Sequence, residues 1–483
     1  MESRCSQRYS LLLSFLILFL LFLNLPSMGS RAVADTPPDE TRADRQGAGP
    51  TGKEPGNKDG RIDRIFDPVL VQGKWLTDLL GSGLGALRLY RCRDGQYETI
   101  RFQVDERTLG GDWVFPHGKK NNGSEGNGLL DSRDVLLFMA GDAGERAHPD
   151  APLQGASSVT EIELKDPVDA GRAWVYLAAH VADPPPLCPL PDYVRYNYET
   201  EEVSTDFSYY KFIITEEGLH TGFSDVGAIL PAAGGDGENR IDRMKTRIQI
   251  RFFFNLVPLS LNEEVLGQDV AAYIAGPVRV IRRLEQFFKL PFGLRGMKSV
   301  TDLHLYESLT IVPAKINVPK GVDKVISSGH MWFGADMAPN AIGSLFRNSE
   351  NLEPLIIDGR MSEMEKHFSP QLDKWRVIYG HGGAMLIRGT FSVEDSEVAE
   401  IRHRYVDDIS VVEPPERYEG SIGVVQTEMV GKKPKAGRFD MLMEVYFPPH
   451  YRPGDEAGCL NVRDRPLRVL IHGKTHDNQL YPD

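Results

Sequence analysis

From residue 61 onward, apolar and polar side chains alternate with a period of two, the mark of half-buried strands. In residues 98–104, Ile100, Phe102 and Val104 share one face while Thr99, Arg101 and Gln103 share the other. Leu87 with Leu89, and Ile162 with Leu164, repeat the pattern. Two runs, 135–140 and 174–179, are apolar throughout and predict strands buried on both faces. Further strands are expected at 207–215, 246–256, 278–283, 303–312, 376–391, 424–430, 439–447 and 467–471. Helical spacing is scarce. Met361, Met364 and Phe368 mark one short helix, and 341–347 a second, with Pro339 near its start.

Residues 181–192 hold five prolines in twelve positions, which excludes helix and central strand and suggests a domain boundary. No alternation of strand with helix and no repeat period emerges. The expected fold class is therefore all-β: two β-sandwich or distorted-barrel domains with few short helices, over 61–182 and 193–483. Ahead of them, residues 35–60 contain five Gly, four Pro and ten charged residues, and predict a flexible linker. Residues 1–34 read as a signal peptide. Arg4 and Arg8 precede an apolar stretch of 15 residues, 11–25, and Ala32-Val33-Ala34 offers a small-x-small cleavage site. Such a stretch is short of the roughly 20 residues that span a bilayer. The expected product is exported, periplasmic or extracellular after cleavage near Ala34, with no membrane span in the mature chain.

The 483 residues carry a formal charge of −13, which argues against a nucleic-acid-binding surface. Beyond the signal, Cys92, Cys188 and Cys459 are far apart and form no Cys-x-x-Cys pair, so a disulfide scaffold and a zinc knuckle are excluded. No Walker loop, dinucleotide glycine fingerprint, His-Glu-x-x-His or Gly-x-Ser-x-Gly occurs. His381, between Gly380 and Gly382-Gly383, reads as a hairpin turn. His472 and His476 read as part of a frayed tail.

Two kinds of chemistry remain open. Asp131 and Asp134 precede the buried 135–140 run and are read as turn caps, as ligands of a structural calcium ion or as paired catalytic carboxylates; no cofactor is otherwise implied. Arg279 and Arg283 share one face of the 278–283 strand, opposite Arg282. They either pair with carboxylates across a sheet or hold an anionic sugar acid by bidentate contacts. With His304, Tyr306 or His381 as the base, such arginines could neutralise a uronate during elimination.

The segments Phe102-Gln103-Val104-Asp105-Glu106, 129–146 (LLDSRDVLLFMAGDAGER) and 276–283 resemble a family of uncharacterised exported bacterial β-rich proteins, over about residues 65–290. More remotely, the strand-rich build is similar to the β-supersandwich domains of carbohydrate-active proteins, including polysaccharide lyases. That similarity is one of fold alone and carries over no functional residue; the expected function is an exported binding or structural protein that engages extracellular or cell-envelope polysaccharide. The alternative is a polysaccharide lyase or glycoside hydrolase acting on an anionic glycan, with Arg279, Arg283, His304, Tyr306 and His381 as its catalytic residues. The sequence identifies no protein partner.

Overall fold

The computed structural model describes residues 60–480, apart from 254, 290–294, 319–323, 325, 394–399 and 432–436. Among them, the period-two segments form five sheets, accompanied by two short α-helices, Glu363–Lys366 and Glu456–Asp464. The fold is all-β. The largest sheet has nine strands, in the order Leu266–Ala275, Val280–Lys289, Arg295–Leu305, Leu309–Val318, Gly437–Tyr446, Gly383–Val393, Arg376–Gly380, Leu345–Asn348 and Leu355–Ile356.

Each face of this sheet is covered. On one side lie a five-stranded sheet and a four-stranded sheet. The five-stranded sheet runs Val257–Asn262, Ile241–Phe252, Ile326–Met337, Ser421–Gly431, Glu400–Asp408. The four-stranded sheet runs His220–Ile229, Ser208–Ile214, Glu202–Ser204, Arg195–Asn197. Phe346 and Ile378 of the large sheet pack against Ala335, Met337 and Val425 of the five-stranded one. Leu284, Leu303 and Leu305 pack against Tyr210 and Phe212 of the four-stranded one.

On the opposite side, a three-stranded sheet (Pro68–Gln72, Val135–Met139, Gln103–Asp105) packs on the large sheet through Leu70, Val135, Leu137 and Met139. Its other face, carrying Val69, Val71, Leu136 and Phe138, packs on a six-stranded sheet with Leu89, Ile162 and Val175. The strand Val135–Met139 is buried at every position, as its unbroken apolar run predicts.

Residues 59–483 form one compact unit. The six-stranded sheet takes four strands from residues 87–179 and two, Arg468–Ile471 and Lys474–Asp477, from the far end of the chain. The sheet of the expected 61–182 domain is thus completed by residues of the 193–483 segment. His476 lies in the last of these strands, stacked on Trp75 with ring centroids 4.0 Å apart, so this region is no frayed tail.

Other local expectations change for identifiable reasons. Residues 303–312 are not one strand: the chain reverses at 306–308, where the Tyr306 amide donates to the Leu309 carbonyl at 2.8 Å. Leu303 and Leu305 before the turn and Leu309 and Ile311 after it keep one period of two, so the single polar step at Glu307 does not reveal the reversal. Residues 98–104 divide between Gln96–Thr99 and Gln103–Asp105, in two different sheets. The second expected helix, 341–347, is replaced by a 3₁₀ turn, Pro339–Ala341, and the strand Leu345–Asn348. Gly343 between them takes a φ of +91°, which ends the helical course.

Candidate functional site

Alternation on the inner face of the large sheet points Phe439, Met441, Met443 and Val445 the same way. Cross-strand pairing sets Met443 beside Val312 and Gly389, and Met441 beside Ala314 and Phe391. The facing five-stranded sheet presents Met331, Phe333, Ala335 and Met337 from one strand, with Met244 and Val425 from its neighbours. Between the two sheets is a cleft of about 390 Å³, and Tyr209, Phe212, Phe223 and Ile229 of the four-stranded sheet form its third side.

At one end the cleft floor is sealed by packing: Ala335 and Met337 are buried with Ile378 and Val425. Further along the same strand the sheets are less tightly closed, since residues 326–334 are half-buried on both faces. Six of the protein's 13 methionines (Met244, Met331, Met337, Met385, Met441 and Met443) line the cleft. Unbranched thioether side chains repack easily around an irregular or flexible occupant.

The basic groups lining the cleft have acids beside them. Lys245 is fully buried, with its Nζ 2.5 Å from Asp336 and 2.8 Å from Glu416. Burial pushes the Asp336 carboxyl up to about 6, against the pull of Lys245. Arg376 pairs with Asp373 at 2.7 Å, and Arg240 pairs with Asp236. Lys315, exposed at the rim, stands opposite Asp440 across the strand pair.

Away from the methionines, the inner face turns polar. Gln268 pairs with Gln286, and Gln286 with Ser299, in one row across three adjacent strands. The Gln286 Oε1 accepts from the Ser299 hydroxyl at 3.0 Å, and the Gln268 Oε1 accepts from the Gly222 amide at 2.7 Å. Thr301 and Thr310 line the same side.

Of the five residues predicted for catalysis, four share the face of the large sheet opposite the cleft and His381 lies elsewhere, beside Arg240. Arg279, His304 and Tyr306 come together on that face, at 0%, 1% and 1% exposure. The Arg279 guanidinium pairs with Asp105 and donates to the Tyr306 hydroxyl at 3.0 Å. His304 lies against Trp113, ring centroids 6.1 Å apart, and burial with the nearby Arg279 and Arg107 charges holds it well below its ordinary range, hence neutral. Arg283 shares that face, as the alternation predicts, and is held by Asp112 at 2.6 Å and Asp302 at 2.7 Å. Arg282 points to the opposite side and pairs with Glu201. His381 occupies the expected hairpin turn, its Nε2 3.3 Å from Arg240 Nη1.

Asp131 and Asp134 are both engaged in the turn before the buried strand. The Asp134 carboxylate accepts from the Asp131 amide at 2.7 Å and the Arg107 amide at 2.9 Å. The Asp131 Oδ2 accepts from Asn127 at 3.1 Å. Among the described residues, no group of three or more His, Cys, Asp or Glu side chains is placed to hold a metal ion. The three cysteines described are free thiols, and no helix among the described residues is long and apolar enough to cross a membrane.

The cleft residues escaped the sequence reading. Alternation in 439–447 marks one apolar face, but a face that meets another sheet and a face that lines a cleft give the same pattern.

No family model and no curated protein matches the chain. Solved structures similar to it include an α-mannosidase from Enterococcus faecalis V583, at 11% identity and a TM-score of 0.36, covering 84% of this chain and 48% of that one. A glycosyl hydrolase family 38 protein from Enterococcus faecalis aligns at 9% identity and a TM-score of 0.39, covering 82% and 42%. A heparan sulfate lyase from Pedobacter heparinus aligns at 9% identity and a TM-score of 0.22, covering 44% and 27%. These neighbours are carbohydrate-active enzymes, and the chain spans less than half the length of each.

Proposed function

We propose that the protein is a binding protein that holds the apolar part of its ligand between the large and five-stranded sheets. The observation that carries this reading is the methionine- and phenylalanine-lined cleft of about 390 Å³. That volume falls within the roughly 300–1,000 Å³ of small-molecule sites, and its mostly apolar lining with a few grouped polar side chains is their usual make-up. Apolar surface left between two unsealed sheets is costly in water, and an occupant that covers it recovers that cost. With the signal-like residues 1–34 ahead of the fold, the proposed site of action is outside the cytoplasm.

A polysaccharide ligand and lyase or hydrolase activity, both expected from the sequence, are the alternatives. Catalysis through Arg279, His304 and Tyr306 would require substrate to reach groups at 0–1% exposure and to displace Asp105 from Arg279. Binding in the cleft requires neither. Titration with the neutral apolar fluorophore N-phenyl-1-naphthylamine separates the readings. Saturable binding at one dye per protein is expected, with at least about a tenfold loss in Met441→Asp, because a carboxylate would then sit in the apolar wall. The conservative Met441→Leu should retain binding, which distinguishes a lost site from a lost fold. Absent or non-saturable dye uptake by the wild type, with a stability gain from a glycan instead, would overturn the proposal.

A further inference from the structure

The cleft is amphipathic, and its polar side is uncharged. Three adjacent strands place Gln268, Gln286 and Ser299 in one row, and Thr301 lies one pair further along, beside Leu284. The two amide oxygens are occupied, by the Gly222 amide at 2.7 Å and by the Ser299 hydroxyl at 3.0 Å. Each glutamine is thereby oriented with its NH₂ as the remaining donor end, and the Ser299 oxygen remains able to accept. The row thus offers alternating donors and acceptors without a formal charge. Of the four cations that line the cleft, Arg240, Lys245 and Arg376 each pair with a carboxylate, and Lys315 lies at the exposed rim, away from the row, where the Asp440 across from it pairs with Arg438.

From this juxtaposition we infer that the ligand is an uncharged amphiphile, an alkyl or acyl chain joined to a polyhydroxyl head. Its chain lies against Met331, Phe333, Met441 and Met443, and its hydroxyls lie against Gln268, Gln286, Ser299 and Thr301. The inference rests on the cleft being a binding site and adds the class of molecule it selects. An anionic head would lose its hydration against neutral amides and hydroxyls, with the buried cations Arg240, Lys245 and Arg376 already paired and Lys315 out at the solvated rim. A hydroxylated head exchanges water for hydrogen bonds of the same kind. A free sugar would satisfy the row but leave the apolar wall uncovered.

Competition against bound N-phenyl-1-naphthylamine, with each competitor below its micellar concentration, tests this. The competitors are dodecyl maltoside, dodecanoate and maltose. Dodecyl maltoside should displace the dye at a concentration about tenfold below that of dodecanoate, and maltose should not displace it. Gln286→Leu and Ser299→Ala should each shrink the ratio between the two amphiphiles, because each removes a partner of the head group. Dodecanoate competing as well as or better than the maltoside would overturn the inference while leaving the binding site standing. Dye displacement by maltose alone, or by none of the three, would also overturn it. Failure of the dye itself to bind would remove the site on which the inference rests.

Discussion

Glu307 illustrates how burial rather than motif decides the behaviour of single residues in this fold. It sits on the 306–308 turn at 5% exposure, and burial, with Asp206 and Asp142 nearby, raises its carboxyl to about 7, against the pull of Arg101 and Arg195. The folded state therefore binds the Glu307 proton more tightly than the unfolded chain does. Its contribution to stability falls as pH rises from the ordinary glutamate range through about 7. Glu307→Gln does not titrate and escapes that loss. The variant should gain roughly 2 °C in Tm over the wild type at about pH 8 and lose the advantage at about pH 5. An equal difference at both values, measured by calorimetry, would contradict this account of the residue. Nothing in the sequence around Tyr306-Glu307-Ser308 marks this acid, because its shift comes first from burial in the assembled fold and then from Asp206 and Asp142, each more than a hundred positions away.

At the scale of elements, the segments that carry the family resemblance dock on one another. The Gln103 Oε1 accepts from the amides of Val278 at 3.2 Å and Arg279 at 2.9 Å, and its Nε2 donates to Asp105 at 2.6 Å. Asp105 in turn pairs with Arg279. A Cβ on Gly276 would lie 2.2 Å from the Gln103 side chain, so the glycine lets the two segments touch. The alternation of Arg279 and Arg283 against Arg282 was legible in the sequence, as was their choice between carboxylates and an anionic ligand; which carboxylates they meet was not. Arg279→Met should cost about 3–5 kcal/mol in urea unfolding, because it leaves the Asp105 charge buried without its cation. Adding Asp105→Asn should recover part of that loss. An Arg279→Met variant as stable as the wild type would contradict the docking role. The helix Glu456–Asp464 escaped notice for a different reason. Only Cys459, Leu460 and Val462 contact the core from it, too few for a helical period, and Arg347 with Tyr451 fixes its first residue from elsewhere in the chain.

Across the whole molecule, period-two patterning was enough for the all-β class and for most strands. It gave no access to the stacking of layers. A three-stranded sheet buried on both faces joins the six-stranded sheet to the large one, and strands from the last residues complete the first sheet. Proline-rich residues 181–192 mark a surface crossing in that stack, where Arg88 and Arg101 donate to the Pro185 and Pro191 carbonyls. The cleft is likewise a property of the assembled sheets. Met441 and Met331 are 110 positions apart; Met441 alone reads as an ordinary inward-facing strand residue, and the strand that carries Met331 was not among those expected.

The central claim is that a ligand's apolar chain lies between those sheets, and its most direct test is to mark where the chain rests. A dodecyl maltoside carrying a diazirine at the end of its alkyl chain would be bound at equimolar concentration, photolysed and mapped by peptide mass spectrometry. Insertion is expected within 326–337 and 437–446, at Met331, Phe333, Met441 or Met443, and should be competed by N-phenyl-1-naphthylamine. Insertion spread over outer surface residues, or insertion that the dye does not reduce, would contradict it.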